Sequence, residues 1–440
     1  MTAPFFSFFA QRRERFLRQL KGVAAVIPAT SLVTHHADVK YPFRQNSNFW
    51  YLTGFDEPDA VALLLPQHEK ARFVLFVEPK NPLAEVWHGF RWGCEGALEH
   101  FGADFVHPIA KLPEYIGSYL KGTEGIAFEL GSDPKVELLV LDVWNKEQRR
   151  ATRNNTMKPG IISPNPILDE LRMRKDKNEI ERMREAGKIS AEAHEIARKF
   201  TKPGMNERQI QACIEQYFLA AGARGPAYSS IVAGGDNACI LHYSKNNAPL
   251  MSGDLLLIDA GCSLNDYYNS DITRTFPING HFSSEQRYLY EIVLTAQKEA
   301  IAHIQPGILM EEVHNITTRI LVEGLIEIGL LKGSVDEVIE HGTYQHLYMH
   351  GTSHWLGLDV HDVGSYQCGT GSIKLEPGYI LTVEPGIYIS DRLPVPKDQP
   401  LIANYWKGIG IRIEDDIAVT FSGHEILSAK ALKDPIAMEN

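Results

Sequence analysis

The stretch Leu255–Phe276, LLLIDAGCSLNDYYNSDITRTF, decides the fold, because two aspartates interrupt runs that are otherwise typical of β-strands. Aspartate is normally depleted in strands, so Asp259 and Asp271 need a structural or chemical reason for their positions. If the stretch forms an antiparallel hairpin that turns near Asn265, the two aspartates should face each other with Cβ atoms roughly 5 Å apart. Two facing carboxylates repel, and the simplest neutraliser is a cation held between them. Two solvated turn residues are the alternative interpretation.

Length and composition limit the number of domains, the possible partners and the cellular compartment of the protein. A chain of 440 residues with 44% apolar content exceeds the size at which a single core usually stops growing, so two domains are expected. The net charge of −11 argues against nucleic acid or an anionic membrane surface as a partner. Five scattered cysteines disfavour disulfides and favour a reducing compartment. With no secretory signal and no long apolar run, the sequence predicts a cytoplasmic protein that does not enter a membrane.

The N-terminal part of the chain, residues 1–172, alternates short apolar runs with helix-like stretches, which predicts an α/β domain. The aromatic-rich segment Tyr41–Gly54 and the aromatic cluster around Trp87 do not reveal a chemistry by themselves. The run Ser163–Pro166 breaks regular structure and indicates the region of the domain boundary.

The C-terminal part, residues 173–440, contains a weak internal repeat. Two segments, Lys202–Gly222 and Gln305–Gly329, each place Pro-Gly before an amphipathic helix that ends in glycine. Strand-like runs repeat as well: GDLLLIDAG, which holds Asp259, and GYILTVEPG, which holds Glu384, share an acid and a glycine at the same places. A second acid-bearing run follows each of them. The sequence therefore predicts an α+β domain of two related halves, each with a pair of acid-bearing strands.

Four acids lie in apolar strand contexts, and a histidine-rich segment, MHGTSHWLGLDVHDVG, lies between them in the chain. The set is Asp259, Asp271, Glu384 and Glu414, with His350, His354 and His361 from that segment. Carboxylates with imidazoles suit hard or borderline divalent ions, and four anions carry more charge than one ion would neutralise. Two metal ions are implied, as in hydrolases that attack a carbonyl with hydroxide.

Other readings of single residues stay open at this point. His350 and His354 have the spacing of a helical zinc pair, but the glutamate of an HExxH motif is missing between them. His242 has apolar neighbours, and alone it is typical of a core histidine. Asp415 and Asp416 are read as solvated, because only alternate residues of a strand face one side.

The chain resembles the pita-bread metallopeptidases, and within them the bacterial aminopeptidase P enzymes, in seven pieces between Tyr41 and Asp416: YPFRQNSNFWYLTGFDEPDAV, ILHY, LLLIDAGC, SDITRTFP, HGTSHWLGLDVHDVG, LTVEPGIYI and GIGIRIEDD. The resemblance implies a creatinase-like α/β domain over residues 1–172 and an α+β pita-bread catalytic domain with a pseudo-twofold repeat over residues 173–440. It also implies an enzyme that releases the N-terminal residue from peptides with proline in second position, by attack of a metal-bridging hydroxide.

The resemblance further implies the metal ligands. Asp259 would bind one ion, Asp271 and Glu414 would bridge two, and His354 and Glu384 would bind the second. Glu384 would also accept a proton from the attacking water. Two divalent ions per subunit, expected to be manganese, would occupy the site.

Residues outside the ligand set are assigned in the same way. Three histidines would orient the substrate and stabilise its tetrahedral intermediate: His242, His350 and His361. The proline ring would be recognised by shape, by His350 together with Tyr388 and Arg412. The family's homo-oligomers, dimers or tetramers, would place Trp87 over a neighbour's site.

Three alternatives remain. The first is prolidase, which uses the same metal ligands to cleave Xaa-Pro dipeptides. The second is methionine aminopeptidase, which the N-terminal part of this chain disfavours because that enzyme lacks a large N-terminal domain. A pita-bread protein that has lost its metals would be a binding module. The loop between Asp259 and Asp271 is one residue longer than the resemblance leads us to expect, which is compatible with a β-bulge.

Overall fold

The computed structural model describes residues 3–439, with side chains from residue 8 onward. The chain divides into two compact units, Met1–Arg172 and Met173–Asn440. Within residues 3–439, no helix has the length and apolar character needed to cross a bilayer.

The first unit contains a mixed six-stranded sheet flanked by helices. In spatial order its strands are Phe105–Pro108, Phe73–Val77, Val61–Leu64, Val23–Pro28, Gly125–Ala127 and Gly160–Ile162. The helices are Ala3–Leu20, Ser47–Thr53, Pro82–His88, Gly93–His100, Leu112–Tyr119, Pro134–Asn154 and Asn165–Met173. A short hairpin pairs Thr34–His36 with Val39–Lys40, and a 3₁₀ turn covers Ile109–Lys111. Strand Phe73–Val77 is buried at every position, which explains its continuous apolar run.

The second unit contains two three-stranded antiparallel sheets. One has the order Ile231–Gly234, Leu255–Asp259, Thr273–Pro277, and the other Ile380–Val383, Asp415–Thr420, Gly423–Ile426. Three two-stranded ladders pair Gly225–Pro226 with Cys262–Ser263, Gln367–Cys368 with Gly371–Ser372, and Gly386–Tyr388 with Gly410–Arg412. The helices are Lys177–Phe200, Glu207–Ala220, Ser284–His303, Met310–Glu327, Val335–Glu340 and Pro435–Met438, with 3₁₀ turns at Gly235–Cys239 and Thr343–His346.

The predicted repeat is visible in this order of elements. Each half begins with two helices, the second of which follows the Pro-Gly signal, and then supplies antiparallel strands that carry acids. The helix Lys177–Phe200 starts at the predicted capping box, because Asp176 accepts from the amide of Glu179, whose carboxylate accepts from the Asp176 amide. Both halves therefore follow one local plan.

The predicted hairpin has the wrong register. Asp259 pairs with Thr273 and not with Asp271, which lies two residues earlier and outside the strand Thr273–Pro277. The hairpin keeps this register up to its turn, because Ser263 pairs with Asn269, and within the turn Tyr267 adopts a left-handed conformation. The turn is therefore centred on Asp266 instead of Asn265, which moves the two aspartates from directly opposite to diagonal positions.

The repeated glycines are explained by close approach of the neighbouring backbone. A Cβ on Gly261 would lie 1.7 Å from the carbonyl oxygen of Ser270, and one on Gly386 would lie 2.9 Å from that of Ile411. In both halves, the chain that returns with the second acid therefore passes directly over the glycine that follows the first acid.

A buried histidine ties the first helix of this unit to the acid-bearing strand. His194 is 4% exposed, and its Nε2 donates to the carbonyl of Ala260 at 2.9 Å. Its Nδ1 has no hydrogen-bond partner among the described residues, so protonation would bury an unpaired N–H. Burial accordingly lowers the pKa of His194 to about 4.

This pKa shift predicts a loss of stability in acid. Because the unfolded histidine, with a pKa near 6.5, binds a proton before the folded one does, the free energy of unfolding should fall between about pH 6.5 and pH 4. The expected loss is about 3 kcal/mol, and His194→Gln should remove it while keeping the bond to Ala260. Urea unfolding of both proteins at pH 7 and pH 4.5 measures the difference. Equal pH dependence in the two proteins would contradict this prediction.

Candidate active site

A cavity of about 620 Å³ in the second unit collects most of the predicted site residues. Nine of the eleven line it: His242, Asp259, Asp271, His350, His354, His361, Glu384, Arg412 and Glu414. Tyr388 and Trp87 do not. A single cavity therefore holds all four acids and all four histidines chosen from the sequence.

The four carboxylates meet because each stands where a strand ends or breaks. Asp259 is the last residue of its strand, and Asp271 precedes the next strand by two residues. Glu384 and Glu414 each lie between two short strands of the second half. At such positions, a side chain can point beyond the sheet without displacing an apolar neighbour.

His354 reaches the acids because its segment runs along the strand Ile380–Val383. The amide of Thr382 donates to the carbonyl of His354 at 2.9 Å, and Trp355 pairs with Leu381. His354 Nε2 then lies 3.4 Å from Asp271 Oδ2 and 3.6 Å from Glu384 Oε1. This ladder replaces the helix that a zinc pair with His350 would need.

The donor set fits divalent metal ions. Atoms of Asp271, His354 and Glu414 that can bind a metal all lie within 4.8 Å of one another. His354 Nδ1 donates to the carbonyl of Trp355 at 3.0 Å, so Nε2 is the ring nitrogen that faces the acids and would bind a metal ion. A histidine held by its other nitrogen is the usual arrangement of a metal ligand.

Electrostatics explains why the acids need a cation. Burial and the neighbouring acids Asp271 and Asp259 raise the pKa of Glu384 to about 7, although His354 and Arg412 oppose the shift. Burial and the other carboxylates also raise the pKa of Glu414 well above its usual range. For His354, Asp271 and Glu384 outweigh burial and raise the pKa to about 9. The cavity therefore favours added positive charge.

Asp415 and Asp416 are buried, so the prediction that they are solvated is wrong. Asp415 forms ion pairs with Arg274 at 2.7 Å and Lys433 at 2.6 Å, and both outweigh burial to hold its pKa below the usual range. Asp416 accepts from the backbone amide of Asp271 at 3.1 Å. These contacts join residues far apart in sequence, which alternation along one strand does not reveal.

Arg412 connects the acids to the histidines. Its Nη2 lies 2.5 Å from Asp259 Oδ2, and its Nη1 donates to Tyr388 Oη at 2.8 Å. Tyr388 Oη lies 2.8 Å from His350 Nε2. We predicted that Tyr388 contacts the substrate, but it is fully buried and holds Arg412 and His350 from behind.

His242 and His361 lie on the open side of the cavity with exposed side chains. His242 is therefore not the core histidine that its apolar neighbours favour. The rings of His354 and His361 are 4.4 Å apart between centroids, so His361 stands beside the predicted metal ligand.

Trp87 belongs to the first unit and is 82% exposed. Its helix, Pro82–His88, buries none of its residues in this chain. Leu83, Val86 and Phe90 are exposed beside it.

Sequence reasoning missed Tyr228. This residue lines the cavity, and its hydroxyl oxygen is within hydrogen-bonding distance of both Asp259 Oδ1, at 2.6 Å, and Asp271 Oδ1. A single phenol therefore spans the two aspartates that the hairpin register leaves in diagonal positions. No local pattern marks it, although an isolated tyrosine in the small-residue run GPAYSS is unusual.

Comparison with known proteins identifies the family. The model of metallopeptidase family M24 matches residues 181–421, and the model of the aminopeptidase P N-terminal domain matches residues 9–127. The chain belongs to metallopeptidase family M24, in its aminopeptidase P group. It is 41% identical to the Xaa-Pro aminopeptidases of Escherichia coli and Haemophilus influenzae, in each case over 98% of this chain and 96% of the relative.

Solved structures agree with this assignment. The aminopeptidase PepP of Pseudomonas aeruginosa superposes with a TM-score of 0.93 at 42% identity, covering 99% of this chain and 97% of that one. Proline aminopeptidase P II of Yersinia pestis gives a TM-score of 0.91 at 42% identity, covering 100% and 99%. The predicted fold class and family are confirmed, and so is the prediction that the chain is a metallopeptidase.

The Tyr228 bridge predicts an effect on metal binding. Tyr228→Phe removes only the hydroxyl that holds both aspartates, so the apoprotein should bind Mn²⁺ about 10- to 100-fold more weakly, as is usual when a residue that orients a ligand is lost. Tyr268→Phe is the matched control, because it removes a similar buried bond, 2.8 Å long, to Glu179. Calorimetric titration of both variants tests the prediction, and equal affinities would refute it.

Proposed function

We propose that the protein is an Xaa-Pro aminopeptidase that uses two divalent metal ions. The observation that carries the proposal is the meeting of four carboxylates and His354 in one cavity with His242 and His361 at its open side. Family membership and the 41% identical relatives named Xaa-Pro aminopeptidase support the reaction class.

The residues that would hold the ions are Asp259, Asp271, His354, Glu384 and Glu414. Oxygen donors with one imidazole suit manganese better than a thiolate-binding metal, and the resemblance to the family favours manganese too. Bound there, two such ions would supply a hydroxide nucleophile at neutral pH and would polarise the attacked carbonyl.

The remaining groups act on the peptide itself. His242 and His361, which line the cavity, would donate to the carbonyl oxygen as it gains negative charge. Glu384 lies 3.9 Å from His350 Nδ1 and faces the cavity, where it can take a proton and deliver it to the leaving proline nitrogen. Arg412 fixes Asp259 and prevents its carboxylate from turning away.

Proline recognition rests on shape. An Xaa-Pro bond has no N–H, so a site that selects it must fit the ring. His350 and Arg412 line the cavity, and Tyr388 locks their positions through its hydroxyl. We propose that this rigid wall receives the ring.

One solved relative supports binding of proline peptides. An aminopeptidase P of Escherichia coli, with a TM-score of 0.91 and 41% identity over 99% of this chain, was solved with the inhibitor Pro-Leu. By its chemistry, Pro-Leu is what remains when the first residue leaves Xaa-Pro-Leu. This observation favours the aminopeptidase over prolidase, whose substrate ends at the proline.

Trp87 is proposed to act between subunits. An exposed tryptophan with Leu83, Val86 and Phe90 forms an apolar patch that suits contact with a second copy of the chain. The homo-oligomer expected from the resemblance would bring such a patch to a neighbouring site.

Metal removal tests the first part of the proposal. Chelation should abolish peptidase activity, Mn²⁺ should restore it, and the loaded protein should contain two ions per chain. Asp271→Ala or Glu414→Ala should lower metal content more than His354→Ala, because a bridging carboxylate serves both ions. Asp266→Ala is the control, since this acid of the same loop pairs with Arg182 at 2.6 Å. Full activity in metal-free protein would end the proposal.

A matched peptide pair tests specificity. Xaa-Pro-Yaa should exceed Xaa-Ala-Yaa in kcat/KM by roughly 10- to 200-fold, because alanine leaves the ring pocket unfilled. The dipeptide Xaa-Pro serves as the comparison for prolidase. Equal values for proline and alanine would remove the Xaa-Pro assignment and leave a metallopeptidase, whereas preference for the dipeptide would favour prolidase.

A further inference from the structure

The segment that carries His242 has little regular structure of its own. It follows the 3₁₀ turn Gly235–Cys239, and residues 243–247 form neither helix nor strand. Among the described residues, no hydrogen bond holds the His242 ring, which is exposed on the cavity wall. The position of this imidazole therefore depends on how the backbone around it is fixed.

Glu207 fixes that backbone from outside the cavity. This carboxylate is completely buried at the start of the helix Glu207–Ala220, and each of its oxygens accepts two hydrogen bonds. Oε1 accepts from the Gly234 amide and the Asn237 side chain, both at 2.9 Å. Oε2 accepts from the Tyr243 hydroxyl and the Ala248 amide, both at 2.8 Å.

The four donors surround His242 in the chain. Two of them precede it, Tyr243 follows it directly, and Ala248 lies at the far end of the segment, where its carbonyl also accepts from the Glu207 amide at 3.0 Å. Tyr243 is buried against Glu207 while His242 is exposed to the cavity, so the two neighbouring side chains take different environments. One buried carboxylate therefore binds the segment on both sides of the histidine.

We infer that Glu207 is a positioning residue for His242. Glu207 does not line the cavity and touches no group assigned to catalysis, so its effect must pass through the segment from Gly234 to Ala248. The inference rests on the proposed function, because it gives His242 the task of donating to the developing oxyanion.

A carboxylate is required for this arrangement, since an amide cannot accept at all four places. In Glu207→Gln, one oxygen keeps two donors, while the new NH₂ group faces a hydroxyl and a backbone N–H. The Tyr243 hydroxyl can rotate and accept, but the Ala248 amide cannot. If the amide lies the other way round, the Gly234 N–H loses its acceptor instead, so in either orientation the segment must move, and His242 with it.

The test is a double-mutant cycle. Glu207→Gln should lower kcat for an Xaa-Pro-Yaa peptide about tenfold or more, because a displaced catalytic group costs rate even when it is chemically intact. In the His242→Ala background, the same change should cost less than about twofold, since there is no imidazole left to misplace. Metal content should be unchanged in all variants.

Two further variants separate positioning from general destabilisation. Glu179→Gln alters another buried carboxylate, 1% exposed, which accepts from Tyr268 but does not touch the His242 segment. Its effect should be the same in both backgrounds. Tyr243→Phe removes one of the four donors, so its loss of kcat should also be larger in the wild-type background than in the His242→Ala background, by less than for Glu207→Gln. This variant keeps the test available if Glu207→Gln does not fold.

A measurement without turnover separates this inference from the proposed function. In NMR spectra of the apoprotein with labelled histidine, the His242 signal can be assigned by its absence in His242→Ala. Its chemical shift should change in Glu207→Gln and stay the same in Glu179→Gln. An unchanged His242 chemical shift in Glu207→Gln would overturn the inference. So would a loss of kcat from Glu207→Gln that has the same fold size in the wild-type and His242→Ala backgrounds. Full activity of His242→Ala would instead refute the catalytic role of His242 in the proposed function.

Discussion

The burial of four carboxylates in one cavity is the constraint that the second unit must satisfy. Bringing like charges together in a poorly hydrated place is costly unless cations and donors compensate. Arg412 compensates Asp259 at 2.5 Å, Thr273 donates to Glu414 at 2.6 Å, and Tyr228 joins Asp259 to Asp271. These groups orient the acids but leave the cavity short of positive charge, and divalent ions would supply it.

The two halves of the repeat provide this arrangement by the same local device. In each half an apolar strand ends in an acid, and the glycine two residues later allows the returning chain to cross at close range. Signals of this kind are local, so they can be read from the sequence: the acid after a buried run, the glycine after the acid, and the Pro-Gly before a helix. The fold class follows from them and from the family resemblance, and so do the nine predicted residues that line the cavity.

Residues that act across the fold could not be read in this way. The register of the Asp259 strand depends on where the chain turns between Ser263 and Asn269, because a shift of the turn by one residue moves Asp271 from opposite Asp259 to a diagonal position. Asp415 is buried because Arg274 and Lys433 reach it from other elements. The local sequences around Tyr228 and Glu207 do not show what these residues contact, and only the packed structure shows that one phenol spans two acids and one carboxylate holds a loop.

Anomalous diffraction from crystals of the manganese-loaded protein tests the central claim most directly, because it locates the ions without relying on activity. The claim predicts two peaks in the cavity, with Asp271 and Glu414 in contact with both and His354 in contact with one. A single peak under full loading, or peaks away from these carboxylates, would contradict it.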